Sequence, residues 1–362
     1  MTSGAFPFEA NPNPVDAAER AARLVDPGFG RVFTDHMVTI RYSDAKGWHD
    51  AKVGPRAPLT LDPATAVLHY AQEIFEGLKA YRLADGSMAL FRPEQNARRF
   101  QRSAKRLAMP ELPEEMFLQA CRQLVQVDKD WFPPVDGGSI YLRPFMIASE
   151  VFLGVKPSAE YLFMVIASSA GNYFKSGAPA ISIWVSEQYT RAARGGTGAA
   201  KCGGNYAASL VAQSEAIRQG CDQVVFLDAA EHRWVEELGG MNLFFLFDDG
   251  SLLTPPTDGT ILEGITRDSV LTLARAQGLN VREERYAMDQ WRADAESGRL
   301  VEVFACGTAA VVTPVGTVKS TQGAFTIGAG GAGQMTQIIR TKLVDIQRGA
   351  AADTHGWVQR ID

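Results

Sequence analysis

The sequence predicts an α+β, or mixed α/β, protein of two domains, and three observations lead there. At 362 residues the chain exceeds the ~250–300 residues at which a single hydrophobic core stops growing. Short apolar and aromatic runs flank Asp85-Gly86 and Asp249-Gly250, the dipeptide that most strongly marks a hairpin. Amphipathic segments fall between these runs, but too irregularly for a plain alternation of strand and helix. With 46% hydrophobic and 21% charged residues, the composition is that of a globular chain able to bury a core.

The first ~25 residues, rich in Pro, Asn and Ala, read as a loosely held leader arm. Residues 32–42 and 48–53 read as strands. Asp62-Pro63 supplies a cap and a first helical residue for a helix running to about Glu73. FEGLKAYR (75–82) and SMALFR (87–92) form the next hairpin, and Pro93 opens a helix. Ala97, Phe100, Ala104 and Leu107 recur there at helical spacing, with Arg98, Arg99, Arg102 and Arg106 at the other positions. A helix at 114–127 and strands at 139–149 and 160–169 complete a smaller N-terminal domain, 1–174. The Gly- and Pro-rich stretch that follows places a linker at 175–185 and a larger C-terminal domain at 186–362. Beyond the Gly- and Pro-rich stretch, strands are expected at 181–187, 223–227, 233–238, 242–247, 281–285 and across 301–315, and helices at 205–219, 266–277 and 333–348.

Charge and composition exclude several function classes. A net charge of -5 opposes a phosphate-backbone partner, which needs clustered positive charge. Cys121, Cys202, Cys221 and Cys306 show no CxxC spacing, so a reducing cytoplasm fits better than a disulfide framework. The five histidines are far apart in sequence, and no metal site is expected. No run approaches ~18 consecutive apolar residues, and the start lacks a basic segment followed by an apolar one, so neither a membrane span nor export is expected.

Chemistry concentrates in GGTGAAKCGGNY (195–206). A phosphate loop needs Gly-Lys-Ser/Thr, whereas Ala200 precedes Lys201 and Cys202 follows it. The dinucleotide fingerprint also fails, because Lys201 stands where its third glycine belongs. A lysine among small residues suits imine chemistry, which needs an amine that can lose its proton and be closely approached. It equally suits a glycine-rich surface loop carrying a solvated lysine. Both readings stay open on these residues alone.

That segment, with FTDHM (33–37), FEGLKAY (75–81), YLRP (141–144), EELGGMN (236–242), EGITR (263–267) and CGTAA (306–310), resembles the branched-chain aminotransferases, members of the fold-type-IV pyridoxal-phosphate enzymes. The matches run from about residue 29 to 357. The resemblance implies a two-domain fold-type-IV enzyme with pyridoxal 5'-phosphate at the domain interface. It implies ping-pong transamination of Leu, Ile and Val with 2-oxoglutarate, in a cytoplasmic homodimer serving amino-acid biosynthesis.

It also implies roles, position by position. Lys201 matches the lysine that holds the cofactor and, once freed, moves a proton between substrate and cofactor. Tyr206 matches the tyrosine meeting the ring oxygen. Glu237 matches the carboxylate facing the pyridine nitrogen, five residues before Asn242, and strand alternation, which sends neighbours to opposite faces, sets Glu236 apart from that role. Arg99, Ile265, Thr266 and Thr308 match the phosphate ligands, two of them at a helix start. The backbone amides of Thr308 and Ala309 match those receiving the substrate carboxylate. Phe29, Tyr70, Phe75, Tyr141, Val155 and Tyr173 match the apolar pocket, with Tyr70 and Val155 supplied to the partner's site. Arg143 is expected to meet a second substrate's distal carboxylate. The chain departs from the pattern at Gly240, where some relatives carry threonine on the pocket rim. Ala310 and Thr313 stand where animal members carry a CxxC pair. A D-amino-acid aminotransferase or an aminodeoxychorismate lyase would share the cofactor residues, and a non-catalytic pyridoxal-phosphate carrier would need no substrate pocket.

Overall fold

The computed structural model describes residues 4–135, 137–171 and 180–361. The chain divides into two compact units: Met1–Lys175 with Ala200–Gly203 and Ile346–Asp362, and Ser176–Ala199 with Gly204–Asp345.

The first unit is built on one sheet. Its strands run in the order Val358–Ile361, Met88–Phe91, Leu78–Arg82, Ser139–Ala148, Glu160–Ala170, Val32–Ser43 and Gly47–Pro55, all antiparallel, with Glu73–Phe75 also pairing with Ser139–Ala148. Helix Pro93–Arg106 packs against helix Glu114–Val127, which lies on the two long strands Val32–Ser43 and Glu160–Ala170. The apolar stripe read from the sequence becomes the core: Phe100 meets Phe163 edge-on at 5.5 Å and Phe117 at 5.6 Å, all three fully buried.

Three expectations change here. The leader is not loosely held, because Gln123 is buried and clamps it. Phe6 N–H donates to Gln123 Oε1 at 2.8 Å, and Gln123 Nε2 donates to Phe6 O at 2.7 Å. The Glu9 N–H donates to the Val53 carbonyl, the Val53 N–H donates to the Pro7 carbonyl, and Asp16 caps a short helix Ala17–Arg23. The helix expected from Asp62 to Glu73 shrinks to Ala66–Tyr70. Asp62 uses its oxygens in a turn to Ala64 and Thr65 instead. Ala71 then takes a left-handed conformation (φ 46°) that reverses the chain into strand Glu73–Phe75. The chain's last strand, unforeseen, returns to the first sheet: Val358–Ile361 pairs with Met88–Phe91, and Trp357 meets Phe91 edge-on at 5.7 Å. The tail from Ile346 therefore groups with the first unit, while strand Ile181–Ser186 lies where a strand was expected at 181–187.

The second unit is a mixed sheet in the order Val235–Leu238, Gln223–Leu227, Ile181–Ser186, Val311–Ser320, Leu300–Gly307, Asn242–Phe247, Ser251–Thr254 and Asn280–Glu283, with Gly323–Thr326 paired to Val311–Ser320. Its aromatic core stacks Phe244 on Phe304 at 5.1 Å and sets Trp291, from an unforeseen helix Met288–Glu296, edge-on to Phe245 at 4.9 Å. Helix Gln334–Gln347 starts where Glu302 accepts the amides of Met335 and Thr336 at 3.0 and 2.8 Å. No helix among the described residues is long and apolar enough to cross a membrane.

Replacing Gln123 with alanine should release the leader. Two hydrogen bonds to Phe6 would be lost at a buried position, at a cost of about 1–3 kcal/mol. A lower melting temperature with faster amide exchange at residues 6–11 is the expected outcome. Unchanged exchange there would show that Gln123 does not hold the arm.

Candidate active site

Lys201 belongs to the first unit, where its backbone is fixed from two sides. Its N–H donates to Ser103 Oγ of helix Pro93–Arg106 at 3.0 Å, and its carbonyl accepts from Phe75 N–H of strand Glu73–Phe75 at 2.9 Å. Two residues on, Gly203 N–H donates to Glu73 Oε1. An added Cβ at 203 would lie 2.2 Å from that carboxylate oxygen, so a larger residue would have to displace the Glu73 carboxylate. The half-buried Lys201 amine then sits 4.9 Å from the centre of the Phe75 ring. This is a held lysine rather than one on a solvated loop.

Beneath it lies a buried charge pair. Strand alternation leaves Phe75 half-buried and turns Glu76 fully inward. There Arg99 Nε donates to Glu76 Oε1 at 2.7 Å and Arg99 Nη2 to Oε2 at 2.8 Å. Asn96 Nδ2 adds a bond to Oε2 at 2.7 Å, and Gly77 N–H a longer one at 3.2 Å. Burial alone would raise the Glu76 carboxyl, but the charges of Arg99 and Lys201 and these bonds outweigh it and hold it below the usual range. Arg99 is thus 4% exposed, although helical spacing set it among the solvated arginines.

Along strand Ser139–Ala148 the half-exposed Tyr141 and Arg143 share one face. Arg143 Nη2 donates to the Tyr141 hydroxyl at 3.1 Å, and the guanidinium lies 4.8 Å from the centre of the Phe75 ring. Phe29 meets Tyr141 edge-on at 4.9 Å. Gly77 allows this approach, for a Cβ there would fall 2.0 Å from the Tyr141 hydroxyl. Phe29, Phe75, Tyr141 and Arg143 are therefore brought together. Tyr70 and Val155 are not: the Tyr70 hydroxyl donates to Leu153 O, and Val155 is 90% exposed. Tyr173 lies outside the described residues.

In the second unit, Glu237 on strand Val235–Leu238 is 2% exposed. Arg191 Nη2 lies 2.9 Å from its Oε1, which also accepts from Leu262 N–H at 3.0 Å, and Asn242 Nδ2 reaches Oε2 at 3.4 Å. Arg191 also donates to Thr260 O at 3.0 Å and Gly198 O at 3.3 Å. Glu236, the next residue, is also buried, but its Oε2 has no hydrogen-bond partner among the described residues. Its carboxyl lines a cavity with Trp234, Pro255 and Ile261. Both neighbouring glutamates are thus buried, but Glu237 holds the close ion pair with Arg191.

Helix Ile265–Ala276 begins at Gly264, whose lack of a side chain leaves the helix start uncapped and lets Asn242 approach; a Cβ there would be 2.0 Å from Asn242 Oδ1. Buried Thr266 and half-buried Ile265 occupy its first turn. Tyr206 stands in the first turn of helix Gly203–Arg218, and the exposed Gly240 lies beside its ring, a Cβ there meeting Cε1 at 3.7 Å. Thr308 and Ala309 form the turn between strands Leu300–Gly307 and Val311–Ser320. That turn ends on Val311 at φ 63°, a costly conformation for a β-branched residue.

The sequence reading passed over Glu76, Asn96 and Arg191. Glu76 did carry a signal, as an acid inside an otherwise apolar strand pattern. Arg191 carried none, because its role depends on partners brought together by the fold.

The chain matches the family described as Amino-transferase class IV over residues 73–318. It is 58% identical over its full length, and over the full length of the relative, to a probable branched-chain-amino-acid aminotransferase of Streptomyces coelicolor. It is 56% identical, again over the whole of both chains, to the branched-chain-amino-acid aminotransferase of Mycolicibacterium smegmatis. Among solved structures, the branched-chain amino acid aminotransferase from Thermobaculum terrenum in PLP-form (holo-form) superposes with a TM-score of 0.72 at 26% identity, covering 89% of this chain and 98% of that one.

Burial pushes the Glu236 carboxyl above its ordinary range, with Thr260 and Arg191 pulling the other way. An acid whose pKa is raised by folding binds its proton more tightly in the folded state. It therefore lowers stability progressively as pH rises from the unfolded pKa through the folded one. Glu236→Gln removes that cost. Thermal melts should show the variant gaining on the unsubstituted protein as pH rises above the ordinary glutamate value of about 4. A gap that is constant with pH would refute the assignment.

Proposed function

The chain belongs to the class IV aminotransferase family, and from that premise we propose that it transfers amino groups between the branched-chain amino acids Leu, Ile and Val and 2-oxoglutarate. The two substrates follow a ping-pong order, with pyridoxal 5'-phosphate held at Lys201. The observation that carries this reading is the lysine itself, strapped by Ser103 and Phe75 with its amine over an aromatic face.

The residues present fit the cofactor. An uncapped helix start at Gly264 and a buried arginine at 99 suit a phosphate. A buried carboxylate at 237, with a guanidinium and an amide on one oxygen, suits a protonated pyridine nitrogen. When bound, pyridoxal 5'-phosphate supplies a ring that accepts the electron pair left as the substrate Cα–H bond breaks.

The protein's own groups do the rest. Lys201 Nζ would take the proton lost from the substrate Cα and deliver it to the cofactor. Arg191, Leu262 N–H and Asn242 orient the Glu237 carboxylate, which receives the N–H of the ring. Tyr206 steadies the ring oxygen. The amides of Ile265 and Thr266, with Arg99 and Thr308, bind the phosphate. The amides of Thr308 and Ala309 bind the substrate carboxylate. Phe29, Phe75 and Tyr141 bury the aliphatic side chain, worth roughly 1.5–3 kcal/mol. Arg143, already turned to the Tyr141 hydroxyl, receives the distal carboxylate of glutamate. Gly240 leaves the rim beside Tyr206 bare.

The same reading has two copies pairing in the cytoplasm, where thiols stay reduced. Four free, buried cysteines accord with that compartment. Leu68, Tyr70, Val151, Leu153 and Val155 of the first unit are exposed apolar residues, with Tyr70 bonded to Leu153, the kind of side chain that a subunit contact covers. Tyr70 and Val155 would then reach the partner's pocket.

An amino-acid panel with 2-oxoglutarate tests the reading directly. Leu, Ile and Val should be turned over; turnover of D-alanine alone would assign the chain to a different reaction. Lys201→Ala should abolish the visible absorbance of the bound cofactor and reduce turnover by roughly 10²–10⁴-fold or more. Arg143→Met should raise the KM for glutamate and 2-oxoglutarate while leaving single-turnover reaction with leucine nearly intact, and equal losses for both would remove its selective role. Val155→Glu should shift the sedimentation coefficient from dimer to monomer; an unchanged dimer would place the contact elsewhere.

A further inference from the structure

We infer that Glu76 is a positioning residue that prepares Arg99 for the cofactor's phosphate, an inference that rests on the proposed phosphate role of Arg99. The first ground is geometric. Glu76 holds the guanidinium by two parallel bonds, Nε to Oε1 at 2.7 Å and Nη2 to Oε2 at 2.8 Å, which fix both its place and its plane. The second ground is the support beneath that fork. Asn96 Nδ2 donates to Glu76 Oε2 at 2.7 Å and to Gly77 O at 3.3 Å, so the carboxylate is itself pinned.

The third ground is the charge balance. Arg99 is 4% exposed and Glu76 fully buried, and a guanidinium at such depth is tolerated only beside an anion. The fold thus supplies a counter-ion before any phosphate arrives, and sets the plane of the guanidinium in advance. Strand and helix do this together. Phe75, which holds Lys201 through its N–H, directly precedes Glu76, and Ser103, which holds Lys201 through its hydroxyl, follows Arg99 by one helical turn. One strand and one helix therefore fix both the backbone from which the amine springs and the guanidinium.

Glutamine at 76 would keep the shape but offer a single acceptor oxygen. Its amide N–H₂ would face either the Arg99 fork or the Asn96 amide, donor against donor. The test compares dissociation constants of pyridoxal 5'-phosphate and of pyridoxal, which lacks the phosphate, measured by fluorescence on apo-protein for the unsubstituted chain, Glu76→Gln and Glu76→Asp. Glu76→Gln should weaken pyridoxal 5'-phosphate by roughly thirtyfold and pyridoxal hardly at all, with Glu76→Asp between. Arg99→Lys should reproduce that selective loss, and the double variant should lose no more than Arg99→Lys alone.

Equal weakening of both ligands would make Glu76 merely structural. Tighter binding of the phosphorylated ligand would mean that its charge only competes with phosphate. Failure of both Glu76 variants to fold would assign the pair to stability. Each of these overturns the inference. If instead the unsubstituted chain itself binds pyridoxal as tightly as the phosphorylated form, the phosphate reading of Arg99 falls first, and the two failures are told apart.

Discussion

The hydrogen bond from Phe75 N–H to the Lys201 carbonyl is the constraint on which the first unit's chemistry rests. It makes a short return of the chain, Ala200–Gly203, a part of a unit from which it is remote in sequence. Lysine carries more side-chain entropy than almost any other residue, so a reactive amine is costly to order. The fold places its restraints on the backbone instead. Ser103 takes the amide, Phe75 the carbonyl, and Glu73 the amide of Gly203. The side chain keeps its reach while its root is fixed, which suits an amine that must both hold a group and carry a proton.

Buried charge is handled in the same manner in both units. Glu76 and Arg99 pair at 2.7 Å in one, and Arg191 and Glu237 at 2.9 Å in the other. Neither is expected to stabilise the fold much, because desolvating two ions offsets most of their attraction. What such pairs provide is orientation. Each glutamate is further held by an asparagine, Asn96 for Glu76 and Asn242 for Glu237. Glu236, with one oxygen lacking a partner among the described residues and a raised pKa, shows the same residue type without that support.

Close backbone approach is the other recurring device. Gly77, Gly198, Gly203 and Gly264 each stand where a Cβ would fall 2.0–2.3 Å from a neighbouring atom. At Gly198 that neighbour is the carbonyl of Thr260, which also accepts from Arg191. The glycines around Lys201 thus serve packing of the loop as much as room for a ligand, a distinction that their bare presence in GGTGAAKCGG does not make.

Much was legible in the sequence. Period and turn residues marked the helices Pro93–Arg106, Glu114–Val127 and Ile265–Ala276 and the long strands within a few residues, because local propensity and the solvent face agree there. The motif around Lys201 and the order of the other matched segments identified the family. The tertiary structure decided what depends on distant partners. Helical spacing put Arg99 among the surface arginines, since periodicity reports only a helix's own faces, and a glutamate from another element made that position interior. The leader was read as loose because no local pattern announces Gln123 as its clamp. The last strand was missed because an edge strand of four residues takes its stability from the neighbour it pairs with, which lies far away along the chain.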